Sequence, residues 1–245
     1  MYCPADQSDL GVLGGMGPRA THYFVEELLR AVEELCQPMR DQDYPNVFVR
    51  YACYLPDRTS AIETDLRPLA RALRKEVQIL KKLGCRRVVI PCVSAHVALE
   101  RHLSGCPVVN ILEAVATYLH LNRPGSSVGV LATRGSRLSG IVEKFTSGDQ
   151  KVAVLSPDKE DQLMAFIYQR AKTAQSHGDA SELVSLANSL RDQGCDLIIA
   201  GCTEVEMCLA RLNRLEMEFV FPLQIVAKAI VLDWQGDLPG VPRFK

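Results

Sequence analysis

Leu80-Lys81-Lys82-Leu83-Gly84-Cys85-Arg86-Arg87-Val88-Val89-Ile90-Pro91-Cys92 and Leu190-Arg191-Asp192-Gln193-Gly194-Cys195-Asp196-Leu197-Ile198-Ile199-Ala200-Gly201-Cys202 are two copies of one design. Leu80, Gly84, Cys85, Cys92 and Leu99 recur as Leu190, Gly194, Cys195, Cys202 and Leu209, every pair at the same 110-position offset (84 to 194, 92 to 202). Each copy reads as a helix end, a glycine, a cysteine, an apolar strand, a Pro-Cys or Gly-Cys at the strand's carboxyl end, and a new helix. A second echo lies upstream of each copy. Gly11-Val12-Leu13-Gly14-Gly15-Met16-Gly17 resembles Gly129-Val130-Leu131-Ala132-Thr133-Arg134-Gly135 at an offset of 118 (11 to 129).

Working outward, short β-branched runs alternate with amphipathic stretches in a βαβ rhythm. Strands are predicted over 10–13, 47–55, 87–90, 127–131, 152–155 and 196–200. Helices are predicted over 23–35, 66–83, after Ser94, and over 135–145, 159–175, 181–193 and 223–231, before a Gly/Pro-bearing tail read as surface. The fold class is therefore α/β: two similar parallel-sheet lobes related by a pseudo-twofold, with the site in the crevice between them. Residues 1–112 form the first lobe and 113–222 the second, and a C-terminal helix within 223–245 is expected to pack back on the first. Ligands of open parallel sheets bind beyond the carboxyl ends of the strands, and pockets favour lobe interfaces. Cys92 and Cys202 occupy those ends and should face each other.

Composition narrows the function classes. Of 245 residues, 47% are apolar and 23% charged, which is globular usage, and the net charge of −1 gives no basic stripe for nucleic acid. The nine cysteines are an odd number and no signal peptide precedes Leu10, so a reducing cytoplasm is expected rather than a disulfide framework. No apolar run approaches the ~20 residues that span a bilayer. No Cys-x-x-Cys occurs and the five histidines are scattered, so no metal is expected.

A cysteine just before a helix gains acidity from free N–H groups and the helix dipole. Two such thiols on opposite faces of a Cα–H form an acid/base pair that inverts a stereocentre. Cys85 and Cys195, entering apolar strands, read as packing residues, and Cys3, Cys36, Cys53, Cys106 and Cys208 as packing or surface residues.

Several motifs then agree in order. Gly14-Gly15-Met16-Gly17-Pro18, Pro56-Asp57-Arg58-Thr59, Pro91-Cys92-Val93-Ser94-Ala95-His96, Leu131-Ala132-Thr133-Arg134-Gly135-Ser136 and Gly201-Cys202-Thr203-Glu204 make nearly the whole chain resemble the aspartate/glutamate racemase family. The resemblance implies two α/β lobes and racemisation of acidic amino acids by Cys92 and Cys202 with no cofactor, pyridoxal phosphate included. It also implies a substrate-binding set of Met16, Arg58, Val93, Ser94, Ser136, Lys172 and Thr203. Arg58 and Lys172 would clamp carboxylates, and Ser94, Ser136 and Thr203 would add hydroxyls. His96 and Glu204 would support the thiols or serve only as first-turn polar residues. The partner expected is a small-molecule amino acid, with no nucleic acid and no membrane, and a homodimer is left open.

The chain departs from that pattern at named positions. Val93 replaces the usual Asn, Ser94 and Ser136 each replace Thr, Val142 stands for Tyr, Glu206 for Pro, and Phe221-Pro222 lacks an Asp. Two other activities stay open. One is a two-cysteine isomerase or decarboxylase acting on another small acid. The other is a dinucleotide-binding oxidoreductase, because Gly15-Met16-Gly17-Pro18-Arg19-Ala20 after a strand fits the phosphate-loop fingerprint. A binder of amino acids without turnover is disfavoured by the presence of both cysteines.

Overall fold

The computed structural model describes residues 10–146, 150, 152–173, 180–212 and 215–236. Two parallel sheets carry the chain. In the first, β1 (Leu10–Gly14) lies between β2 (Val47–Tyr51) and β3 (Arg87–Val89). In the second, β4 (Val128–Val130) and β6 (Leu197–Ile199) form the centre, flanked by β5 (Val152–Val154) and β7 (Glu218–Val220). The registers match the repeat: Gly11 pairs with Val88 as Gly129 pairs with Ile198. Even the fourth strand has a counterpart, since a single parallel bridge, Val88 to Val108, stands where β6 pairs with β7.

The repeated residues explain this likeness physically. Helices α3 (Arg67–Lys82) and α8 (Ser181–Arg191) each end in a Schellman turn. Gly84 and Gly194 adopt φ +97° and +91°, and the amides of Cys85 and Cys195 reach back to the carbonyls of Leu80 and Leu190. A Cβ on Gly11 would stand 3.0 Å from Leu80 Cδ1 and 3.2 Å from Cys85 Sγ; on Gly129 it would stand 2.9 Å from Leu190 Cβ and 3.2 Å from Cys195 Sγ. Helix, cysteine and strand thus meet over a glycine in both lobes.

The remaining helices cover the sheets: α1 (Pro18–Cys36), α2 (Arg58–Glu63), α4 (His96–His102), α5 (Ile111–Asn122), α6 (Arg134–Leu138), α7 (Pro157–Phe166), α9 (Thr203–Leu209) and α10 (Pro222–Gln235). Pro18 presets φ for the first turn of α1. Tyr23, Phe24, Leu28, Ala31 and Val32 then form its buried face. α10 packs on α1 and α5, and a partly buried ion pair of 2.5 Å joins its Asp233 to Arg87 of β3. No helix among the described residues is long and apolar enough to cross a membrane.

Several expectations need correction. The helix expected over 135–145 is broken, because Gly140 at φ +74° ends α6 and a 3₁₀ turn, Val142–Phe145, follows. The strand expected over 47–55 stops at Tyr51, where pairing with β1 ends. α7 gives way to a π-helical turn, Ile167–Ala171. The expected end of that helix at 175, together with Cys3, His177 and the tail beyond 236, lies outside the described residues. α2, α5 and β7 had no counterpart among the expected elements.

Candidate active site

The strand ends that carry the repeat converge on a cleft of ≈ 290 Å³ between the lobes. Its walls include Met16, Asp57, Arg58, Cys92, Val93, Ser94, Thr133, Tyr168, Lys172, Cys202, Thr203 and Glu204. β3 leads into Cys92, which caps a 3₁₀ turn, Val93–Ala95; β6 leads into Cys202, which caps α9. Both cysteines are buried and free. They come from equivalent positions of the two sheets, and both line the same cleft.

Their surroundings differ in charge. Arg58, buried in the first turn of α2, donates to the carbonyls of Met16 (2.8 Å) and Pro56 (3.2 Å), and it lines the cleft together with Cys92. Burial works against its charge, but Cys92, Asp57 and Glu204 outweigh it and raise the pKa. Its Nε is buried without a hydrogen-bond partner among the described residues. Ser94 Oγ lies 3.9 Å from the Cys92 sulfur. The Cys202 thiol instead donates to Glu204 Oε2 at 3.2 Å. Burial and the Glu204 carboxylate push the Cys202 pKa well up, against the opposing pull of Lys172 and of the Val205 N–H. The acidity expected from the helix start is therefore overridden at Cys202, and the group is a thiol at neutral pH.

Lys172 follows the π turn and reaches the cleft with Nζ 3.8 Å from Asp57 Oδ2 and 4.0 Å from the centre of the Tyr168 ring. Tyr168 donates its hydroxyl to Asp57 at 2.9 and 3.2 Å, a bond from the second lobe to the first. Asp57 also caps α2 by accepting from the Ser60 N–H. Burial would raise the Asp57 pKa, but Ser60, Tyr168 and the two cations bring it below the ordinary value.

Two supporting positions sit behind the wall. His96 is fully buried, with Nδ1 2.9 Å from the Cys92 carbonyl and Nε2 accepting from the Ile111 N–H at 3.3 Å. Burial lowers its pKa to about 4, so it is a neutral strut under Cys92. Ser136 is buried behind Thr133, 3.0 Å from its hydroxyl, and Thr133 rather than Ser136 lines the cleft. Asp57, Thr133 and Tyr168 were not foreseen from sequence. The available signals were the N-cap position of Asp57, the N-cap position of Thr133 before α6, and the four-residue spacing of Tyr168 from Lys172.

The Asp/Glu/Hydantoin racemase family profile matches residues 13–230, and the chain belongs to that family. It is accordingly an enzyme of the racemase class. Among individual relatives, it is 26% identical over 227 residues to the "Broad specificity amino-acid racemase RacX" of Bacillus subtilis, covering 91% of this chain and 96% of that one. Its fold is similar to that of Picrophilus torridus aspartate racemase, with TM-score 0.79, 20% identity and 94% of each chain covered. It is also similar to the glutamate racemase isoform RacE1 of Bacillus anthracis, with TM-score 0.64, 17% identity, and 95% and 84% covered.

Proposed function

We propose that the chain racemises amino acids without pyridoxal phosphate, with Cys92 and Cys202 on opposite sides of the substrate Cα. One observation carries this reading: thiols from equivalent strand ends of the two sheets line one cleft, with a guanidinium near one and a carboxylate bonded to the other; we take 1–112 and 113–222 as the two lobes. Cys92, beside Arg58, removes the Cα proton. Cys202, held as a thiol, delivers a proton to the opposite face, and the roles reverse for the other enantiomer. The unpartnered Arg58 Nε suits the α-carboxylate, and Ser94, Thr133 and Thr203 offer hydroxyls. Lys172 suits the side-chain carboxylate of aspartate or glutamate, the substrates we favour.

A second reading of the substrate rests on Asp57. Its contact with Lys172 already balances that cation, so the side-chain end of the cleft accepts a neutral amino acid without leaving Lys172 unpaired. The oxidoreductase reading loses its main support at Gly17, because the Glu204 carboxylate lies where a pyrophosphate would approach the start of α1.

Solvent-deuterium incorporation at Cα, followed by NMR over a panel of L-amino acids, tests both activity and substrate. Exchange with inversion is expected for the acidic members. Cys92→Ser and Cys202→Ser should each abolish reversible racemisation, and iodoacetamide should inactivate the parent unless substrate is present. Full activity in the double variant would sink the mechanism.

A further inference from the structure

β2 is an outer strand of the first sheet, and its free edge differs from the other sheet margins. β5 and β7, at the margins of the second sheet, have three residues each, and β3 is partly covered by the bridge from Val88 to Val108. β2 has five residues, with Phe48, Val49 and Tyr51 38%, 38% and 45% exposed. Short, charged or covered edges resist pairing with other chains, whereas a longer apolar edge is a template for it. The single charge in the strand does not block this edge. Arg50 Nε donates to Glu76 of α3 at 2.7 Å, and the Tyr54 hydroxyl donates to the same carboxylate at 2.6 Å.

The pairing with β1 decides which backbone groups of β2 are open. The Leu10 N–H donates to the Asn46 carbonyl and the Ala52 N–H to the Gly14 carbonyl, so residues 46, 48, 50 and 52 turn toward β1. Val47, Val49 and Tyr51 turn their N–H and C=O groups outward, and none of the described strands takes them up.

We propose that this edge pairs with the same edge of a second copy of the chain, antiparallel about a twofold axis through Val49. Val49 then stands opposite the copy's Val49, and Val47 and Tyr51 stand opposite the copy's Tyr51 and Val47. Each of these pairs exchanges two hydrogen bonds, which satisfies every outward N–H and C=O of the strand. The side chains agree with this register. Val47, Val49 and Tyr51 share one face of the strand, where aliphatic meets aliphatic at the axis and aliphatic meets aromatic on either side. On the other face Phe48 meets the copy's Arg50, a guanidinium whose charge Glu76 already balances, so the contact buries no unpaired ion and sets a cation against a ring. The segment is thus complementary to itself, as an isologous contact requires and a foreign strand does not. Two three-stranded sheets join into one of twice the width.

Sedimentation equilibrium of the full chain is expected to show a dimer. A monomeric parent overturns the proposal and leaves the edge to an extended segment of another protein. Amide hydrogen exchange followed by NMR reads the register without any substitution. Val47, Val49 and Tyr51 should be protected in concentrated samples and exchange on dilution below the dimer Kd, whereas Phe48 and Arg50, bonded to β1, stay protected throughout. Fast exchange of the first three at every concentration overturns the proposal even for a chain that dimerises, because the contact then lies elsewhere. Val49→Lys and Val49→Glu each set like charges opposite one another and should raise the dimer Kd roughly tenfold or more. An equal mixture of the two should restore the dimer, since lysine then meets glutamate. Variants that dimerise like the parent, or a mixture as weak as either variant alone, would move the axis away from Val49 and overturn the proposal.

Discussion

Val93 is 2% exposed and part of the cleft wall, so whatever replaces it meets substrate or an unhydrated neighbour. With an acidic substrate, Val93→Asn adds a donor near a charged group, and kcat/KM for L-aspartate is expected to hold or rise. With a neutral substrate the new amide is left unpaired at a cost of about 1–3 kcal/mol, and kcat/KM should fall. Comparing L-aspartate, L-glutamate and a neutral amino acid in both forms decides this. A parent enzyme that prefers the neutral substrate and loses that preference on substitution would count against acidic substrates. Arg58→Ala removes a charged hydrogen bond worth about 1.5–3 kcal/mol, so kcat/KM is expected to fall roughly 10–150-fold. Lysine should rescue it poorly, because a point charge cannot serve the Met16 and Pro56 carbonyls together with a carboxylate. An Arg58→Lys variant with parental kinetics would show that the planar fork is irrelevant. At this scale both cysteines and Arg58 were legible because each sits in a motif. Tyr168 was not, and Asp57, though it stands in the same motif as Arg58, was not read as a site residue, because the bond between the two joins residues 111 positions apart and leaves no local pattern.

Glu206 has a different role from its neighbour Glu204. It is fully buried, accepts from the Leu223 and Gln224 amides at the start of α10, and faces the Tyr23 hydroxyl of α1, so it anchors three helices at one point. Burial raises its pKa to about 8 in spite of those donors. A carboxyl whose folded pKa lies above its ordinary 4.5 holds more protons folded than unfolded, so its contribution is present at low pH and is lost as pH rises from about 4.5 through 8. His96 acts with the opposite sign: its folded pKa of about 4 lies below 6.5, and stability is gained as pH rises across that window. The two slopes oppose one another up to pH about 6.5, and above it Glu206 alone remains. Urea midpoints should therefore fall between pH 6.5 and 8, and Glu206→Gln should flatten that limb; an unchanged slope in the variant would remove Glu206 as its source. The strands and long helices were legible because their apolar periodicity repeats twice. α2, of six residues, is too short to show a helical period, and β7, a three-residue strand, lies outside the repeated stretch that marked β3 and β6. α5 has apolar residues on most sides, and only its Asn110 cap marked its start.

Across the whole molecule, the repeat read from sequence appears as matching registers, matching helix caps and a paired glycine contact. Those contacts are not equally tight. Gly129→Ala would bring a Cβ within 2.7 Å of Ile198 Cδ1, whereas at Gly11 the nearest atom is 3.0 Å away. Thermal denaturation should show Gly129→Ala destabilised by about 1–3 kcal/mol and Gly11→Ala by less; the reverse order would mean that the first lobe packs more rigidly. The crevice was foreseen, but the bond across it was not. Tyr168 and Asp57 both line the cleft and bond to each other across 111 positions of chain, so an entry path that breaks this bond would require the two sides of the cleft to part. Parting two packed bodies displaces solvent, and a step of that kind feels friction. Turnover in the parent should slow as sucrose thickens the medium. Tyr168→Phe, without the hydroxyl, should part more freely and lose most of that dependence, whereas an equal slope in both would place the slow step elsewhere. On the first outcome, the viscosity of the surrounding fluid would be one of the quantities that set the rate of the enzyme.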